Sequence, residues 1–225
     1  MGHKDFIVFF TPIFTPHKGS LAPWFNTTFL MHSLPSDFNS ANTSFNCMAQ
    51  KKRIELEYKT KIIYVCRMTQ LLNELRTGTE HILDYIKTID AEKANEKKPA
   101  GDWSILECME HIFISEKVIL KLLSQPELFS YAPSTGFEKF DEFKSGKYEA
   151  PERTLPTGRF STIEEVGKAF KILRQQYEDY IIAELPNAKN ETYPHPILGP
   201  ITKPQWIEFV IEHGNRHLLQ MEKRK

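Results

Sequence analysis

QWIEFVIEHGNRHLLQ, residues 205–220, sets His213 and His217 four positions apart on what reads as the last helix of the chain. At roughly 100° per residue the two imidazoles lie about 40° apart, in one stripe with Trp206, Phe209, Val210 and Met221, so both point inward. A neutral imidazole in an apolar stripe must find a hydrogen-bond partner, take up a proton or bind a metal. The pair is therefore either two satisfied core histidines or part of a metal site. The run H-G-N-R-H lacks the glutamate that follows the first histidine of a zinc-protease helix, which argues against peptide hydrolysis by that route.

Upstream of this stretch, Thr202-x-x-Gln205 is a capping box, and Pro204 falls in the first turn, where its missing N–H costs little. TYPHPILGP, residues 192–200, reads as a turn-rich approach with no strand pair. A third helix is expected from a capping box at Ser161-Thr-Ile-Glu164 to about Leu185, with Val166, Phe170, Leu173, Tyr177 and Ile181 on one stripe. The second starts at Ser104, boxed by Glu107, and runs to about Gln125 with Glu110, Lys117 and Lys121 as its solvent face. His111 sits at the edge of its buried sector and Glu116 inside it. A carboxylate there must be paired or neutralised, and Arg216 or a histidine N–H is the expected partner. The first helix spans about Met68 to Ile89, with Leu71, Leu72, Leu75, Ile82, Leu83 and Ile86 in helical period. Residues 126–160 form a long connection rich in Pro and Gly, of the kind that crosses a bundle or carries function. The pattern predicts an all-α four-helix bundle with long crossover connections.

Residues 1–67 differ in kind. They hold eight Lys/Arg against four Asp/Glu in a chain of zero formal net charge. Phe25 to Asn46 shows no period of 2 or 3.6, and 51–67 reads as a short strand or helix. We expect an irregular or disordered N-terminal extension over 1–67, with Met68, or alternatively Met48, the true start, and a complete domain over 68–225. Neutral net charge disfavours binding nucleic acid or an anionic membrane by bulk charge. No stretch approaches the roughly 20 apolar residues of a bilayer span. Three cysteines without C-x-x-C spacing fit a reducing, cytoplasmic compartment.

His111 on the second helix and the His213/His217 pair on the fourth can meet in a bundle core, where three ligands would leave coordination positions open for water or substrate. Here the residues carry a resemblance. Trp103-Ser-Ile-Leu-Glu-Cys-Met-Glu-His111 with Glu116, then Pro196-Ile-Leu-Gly199-Pro-Ile-Thr202 leading into Gln205-Trp206 and His213-x-x-Arg216-His217-x-x-Gln220, resembles the DinB-like superfamily over residues 68–225.

That resemblance implies a four-helix bundle, often a homodimer, in which His111, His213 and His217 hold a divalent metal such as zinc, nickel or iron. It also implies a candidate metal-dependent S-transferase acting with a low-molecular-weight thiol of the bacillithiol, mycothiol or glutathione class on an electrophile. The alternative is a non-catalytic metal-binding or interaction bundle linked to stress response. Glu116 and Arg216 are candidates for supporting the ligands or orienting substrate, and Tyr193 and His195 for lining the mouth of the site. Cys108, one turn before His111, is either a thiol near the metal or a small buried hydrophobe.

Overall fold

The computed structural model describes residues 40–97, 102–134, 140, 143, 146 and 148–224. The expectation for residues 1–39 lies outside them. Two compact units divide at Leu56 and Glu57. In the first, the described residues are the opening turns of helix α1 (Ser40–Lys87), which continues through the second. This corrects the irregular stretch expected up to residue 67. Residues 40–67 contain neither Pro nor Gly and carry Glu55–Lys59 and Glu57–Lys61 at i,i+4 spacing, so local propensity supports helix over this stretch. Tyr58, Ile62, Ile63 and Val65 accordingly stay exposed, and full burial begins at Leu71.

Within the second unit, α1 is followed by a short α2 (Ala91–Asn95), α3 (Ile105–Leu123), α4 (Ile163–Ala183) and α5 (Lys203–Glu222). The long helices form the expected bundle. Ser104 and Glu107 make the reciprocal box that opens α3, and Thr202 and Gln205 the one that opens α5. The cap of α4 sits one residue later than expected: Thr162 accepts from Glu165 N, and the Glu165 carboxylate accepts from Ser161 N at 2.8 Å. The core is built from Leu71, Leu75 and Ile82 of α1, Met109 and Ile112 of α3, Phe170 and Tyr177 of α4, and Ile207 and Val210 of α5. Tyr85 of α1 donates its hydroxyl to Met221 O of α5 at 2.8 Å. At Gly167 of α4 the helices approach closely: a Cβ would stand 2.8 Å from Ile86 Cδ1, so that side chain would have to shift to admit one.

The approach to α5 is a β-hairpin rather than a string of turns. β1 (Thr192–His195) pairs antiparallel with β2 (Gly199–Thr202), Tyr193 opposite Ile201 and Pro194 opposite Pro200. Thr192 exchanges both backbone bonds with Ser130 on its other side, at 3.0 and 2.8 Å. Because amide directions alternate along a strand, Tyr193 then faces β2 and Pro194 faces away from it, so its missing N–H is no loss to the ladder. Gly199, at φ 75°, supplies the left-handed residue that closes the three-residue loop. Among the described residues no helix is long and apolar enough to cross a membrane.

Candidate metal centre

α3 and α5 carry three histidines to one point. His213 and His217 share a face of α5, as i,i+4 residues must, and His111 meets them from α3. His213 Nε2 lies 3.3 Å from His111 Nε2 and 3.1 Å from His217 Nε2. A ligand atom from each falls within 4.8 Å of the others. Imidazole nitrogens that share one ion at about 2.0–2.1 Å stand roughly 3 to 3.4 Å apart; the two pairs through His213 already have this spacing, and a shift of about an ångström would bring His111 and His217 to it, so the donor set suits a divalent metal such as zinc. All three side chains are buried.

Their far nitrogens are held differently. His111 Nδ1 lies 2.8 Å from Thr154 O; a carbonyl only accepts, so Nδ1 carries the proton and Nε2 keeps its lone pair for the shared point. His217 Nδ1 stands 3.6 Å from Cys108 Sγ. His213 Nδ1 is buried and has no hydrogen-bond partner among the described residues, while its ring stacks on Phe209 with centroids 5.5 Å apart. Trp103 packs on His111 at 4.7 Å.

Burial keeps these imidazoles neutral. It pushes His217 down to about 3, helped by the His111 and Arg216 charges, and His213 well below the ordinary value; His111 is lowered too, against the opposing Thr154 bond. Burial also pushes the Cys108 thiol up to about 12, although Arg224 pulls the other way. Cys108 is therefore a neutral thiol behind His217, on the side away from the shared point.

Glu116 and Arg216, expected as partners, are not brought together. The Arg174 guanidinium of α4 takes Glu116 instead, Nη2 to Oε1 at 2.6 Å. Arg216 donates to the carbonyls of Phe143 and Gly146, at 2.9 and 2.6 Å, and lies over the Phe143 and Tyr148 rings. It clamps the long connection, a use of a cation that spacing on α5 does not announce. Arg174 was open to detection: it falls within the Phe170–Tyr177–Ile181 stripe, and a buried acid requires a buried base.

His195 and Tyr193 do not touch the three histidines. The His195 ring packs on Phe209 at 4.4 Å, and Phe209 stands between it and His213. Its Nδ1 accepts from the N–H groups of Ile197 and Leu198, both at 3.1 Å, so the side chain shapes the hairpin turn. Tyr193 packs between Phe129 and Trp206.

Glu110, expected on the solvent face of α3, is covered. Its carboxylate accepts from Thr157 N and Oγ1, Gly158 N and Arg159 N at 2.8–3.0 Å. Burial pushes its pKa up, but these bonds outweigh burial and bring it below the usual range. The segment that covers it lies more than forty residues away in sequence, so the helical period of α3 gives no sign of it.

Comparison with known proteins agrees with this architecture. The uncharacterized protein YuaE of Bacillus subtilis (strain 168) is 29% identical over 163 residues, which cover 69% of this chain and 95% of the relative. No solved structure matches the chain. The sequence model of the DinB superfamily matches residues 74–221, a span that takes in the end of α1, the whole of α3 and α4, nearly all of α5 and each of the three converging histidines, and the chain belongs to that superfamily.

Proposed function

We propose that His111, His213 and His217 hold a divalent zinc, nickel or iron ion, and that the protein is a metal-dependent S-transferase using a low-molecular-weight thiol of the bacillithiol, mycothiol or glutathione class. The observation that carries this reading is the approach of three buried, neutral imidazoles through their Nε2 atoms. Bound there by three ligands, such an ion supplies Lewis acidity that lowers the pKa of a thiol or water at an open position. The chain's own part is to keep the ligands unprotonated by burial, to fix the His111 tautomer through Thr154, and to exclude water with Trp103 and Phe209. The free thiols of Cys66 and Cys108 support a reducing compartment such as the cytoplasm. A homodimer is the assembly proposed with it, to be checked by sedimentation.

The near-complete burial of all three histidines favours a second reading, a bundle that stores or is stabilised by the ion without acting on a thiol. Elemental analysis of tag-free protein, beside His217→Ala, tests the metal. Cobalt-substituted protein titrated with the three classes of thiol then separates the two readings. A sulfur-to-metal charge-transfer band supports the transferase, and its absence with every thiol supports the second.

A further inference from the structure

Adjacent residues of α3 grip one segment of the long connection at two points. His111 donates from Nδ1 to Thr154 O, and three residues further on the Glu110 carboxylate gathers the consecutive N–H groups of Thr157, Gly158 and Arg159 together with the Thr157 hydroxyl. Only Leu155 and Pro156, whose ring fixes its own φ, separate the two grips, and the backbone leading into the first grip is braced. Residues Glu152–Thr154 form a 3₁₀ turn, Thr154 Oγ1 donates to Pro151 O at 2.8 Å, and the Thr154 side chain is buried.

The chemistry at Glu110 is specific to a carboxylate. Four donors converge on it, and an ionised carboxylate offers about four acceptor positions and no donor. A glutamine of the same shape would aim an NH2 group at backbone N–H groups. Gly158 makes the concave arrangement possible: its φ is 72°, and nothing lies within 4 Å of where a Cβ would stand, so backbone conformation and not space demands glycine there.

We infer that Glu110 is a positioning residue for the metal centre, fastening residues 157–159 so that the Thr154 carbonyl holds His111 in the Nδ1–H tautomer with its Nε2 lone pair free. Glu110 touches none of the three histidine side chains described above; it acts through the loop. The consequence for metal affinity rests on His111 being a ligand, whereas the consequence for the tautomer does not.

The test is Glu110→Gln in the full chain, with the imidazole nitrogens followed by 15N NMR in metal-free protein and His111→Gln used to assign the signals. Wild type should show His111 as the Nδ1–H tautomer. Glu110→Gln should shift it to a mixture and raise the zinc dissociation constant about 10- to 100-fold, the usual size of such supporting contacts. Thr162→Ala, which removes the exposed cap of α4, controls for general destabilisation: it should lower the melting temperature and leave the His111 tautomer alone. If Glu110→Gln does not fold, Thr157→Val and Gly158→Ala loosen the same grip from the loop side, and both should mix the tautomer. A folded loop variant with wild-type tautomer and zinc affinity overturns the inference. Failure of wild type to take zinc, with the tautomer still moving in the variant, would instead count against the proposed metal function and leave the role of Glu110 standing.

Discussion

The Arg174 guanidinium of α4 meets the Glu116 carboxylate of α3 with relative side-chain exposures of 2% and 0%, so the pair is shielded from water on every side. Only one carboxylate oxygen is engaged; Glu116 Oε2 and Arg174 Nε and Nη1 lack partners among the described residues. A buried ion pair of this kind gains little over an apolar pair, but removing the base alone leaves a buried carboxyl with no donor, one that must stay as an unpaired charge or take up a proton. Arg174→Met should therefore cost about 3–5 kcal/mol, whereas Arg174→Met with Glu116→Leu should recover most of that loss. Chemical denaturation of the two variants checks it, and a double variant as unstable as the single one would show that the pair contributes more than mutual neutralisation.

Gly214 lies where the Arg174 side chain crosses α5. A Cβ at this position would stand 2.7 Å from Arg174 Nη2 and 3.3 Å from Ile82 Cδ1. Gly214→Ala gains about 1 kcal/mol of helix propensity but overpacks a pinned guanidinium, for an expected net loss of about 1–2 kcal/mol. In an Arg174→Met background the same substitution should become neutral or stabilising, because the obstacle at 2.7 Å is gone. Independent, additive effects would contradict the contact.

Acid should destabilise the metal-free protein through its histidines. Burial holds His195 at about 4, His217 at about 3, His213 well below the ordinary value and His111 below it. Below about pH 6.5 the unfolded chain takes up protons that these sites refuse, so stability present above that pH is lost as pH falls toward the folded values, each withheld proton changing the unfolding constant about tenfold per pH unit. Glu116 runs the other way. Burial outweighs Arg174 and raises its folded pKa to about 7, so its contribution is present at lower pH and falls as pH rises through the interval from about 4.5 to 7. Glu208, whose pKa burial also raises, adds to the Glu116 effect, but four histidines against two glutamates should still make urea midpoints in chelator rise between about pH 4.5 and 6.5, and more steeply in Glu116→Gln. A flat or falling midpoint would mean that the imidazoles are not held neutral.

The same burial bears on metal loading. Ligands that stay neutral to lower pH compete weakly with protons, so zinc should remain bound below the pH of about 6.5 at which free imidazoles protonate. With free zinc a thousandfold above the dissociation constant, the metal should add about 4 kcal/mol to stability. His111→Ala, His213→Ala and His217→Ala should each abolish that increment, and combinations should add little more. Calorimetry with and without chelator reads this directly, and a chelator-insensitive wild type shown to contain zinc would refute it.

Shortening the chain tests where its stable part begins. Full burial on α1 starts at Leu71, yet Arg67 reaches across to the buried Glu208 of α5. Burial raises the Glu208 pKa, and the Arg67 charge opposes that rise. Protein starting at Arg67 should melt cooperatively, and protein starting at Met68 should be less stable by about 1 kcal/mol, the difference vanishing in a Glu208→Gln background. Equal stability of the two truncations in the wild-type background would remove Arg67 from the fold's energetics.

The sequence disclosed what is periodic or local. Four helices follow from apolar stripes at 3.6-residue spacing, three of their starts from capping residues, and His213 with His217 from a single turn of helix. The Thr162 cap was missed by one position because Glu164 and Glu165 are equally good candidates until the backbone decides which reaches Ser161. The hairpin was hidden by Pro194 and Pro200, which argue against strands unless their missing N–H groups face outward, and only the bond of Thr192 to Ser130 determines that they do. Arg174 was legible from its place in an apolar stripe, whereas Glu110 was obscured because a charged side chain on a helix looks solvated until the distant segment that covers it is known. The helix upstream of Arg67 was missed because the side chains from Gln50 to Ile63 are exposed and leave no apolar period, only the absence of breakers.

Gly214 and Arg174 together act as an index mark between helices. Sliding α5 by one residue along its axis moves it about 1.5 Å and turns it about 100°, which would carry His213 and His217 away from His111 while replacing glycine with a side chain at the guanidinium. Small axial slippage, the usual soft mode of packed helices, is therefore blocked by the residue that lies between the two ligands. The coordination sphere should then hold its shape on warming until the whole bundle gives way.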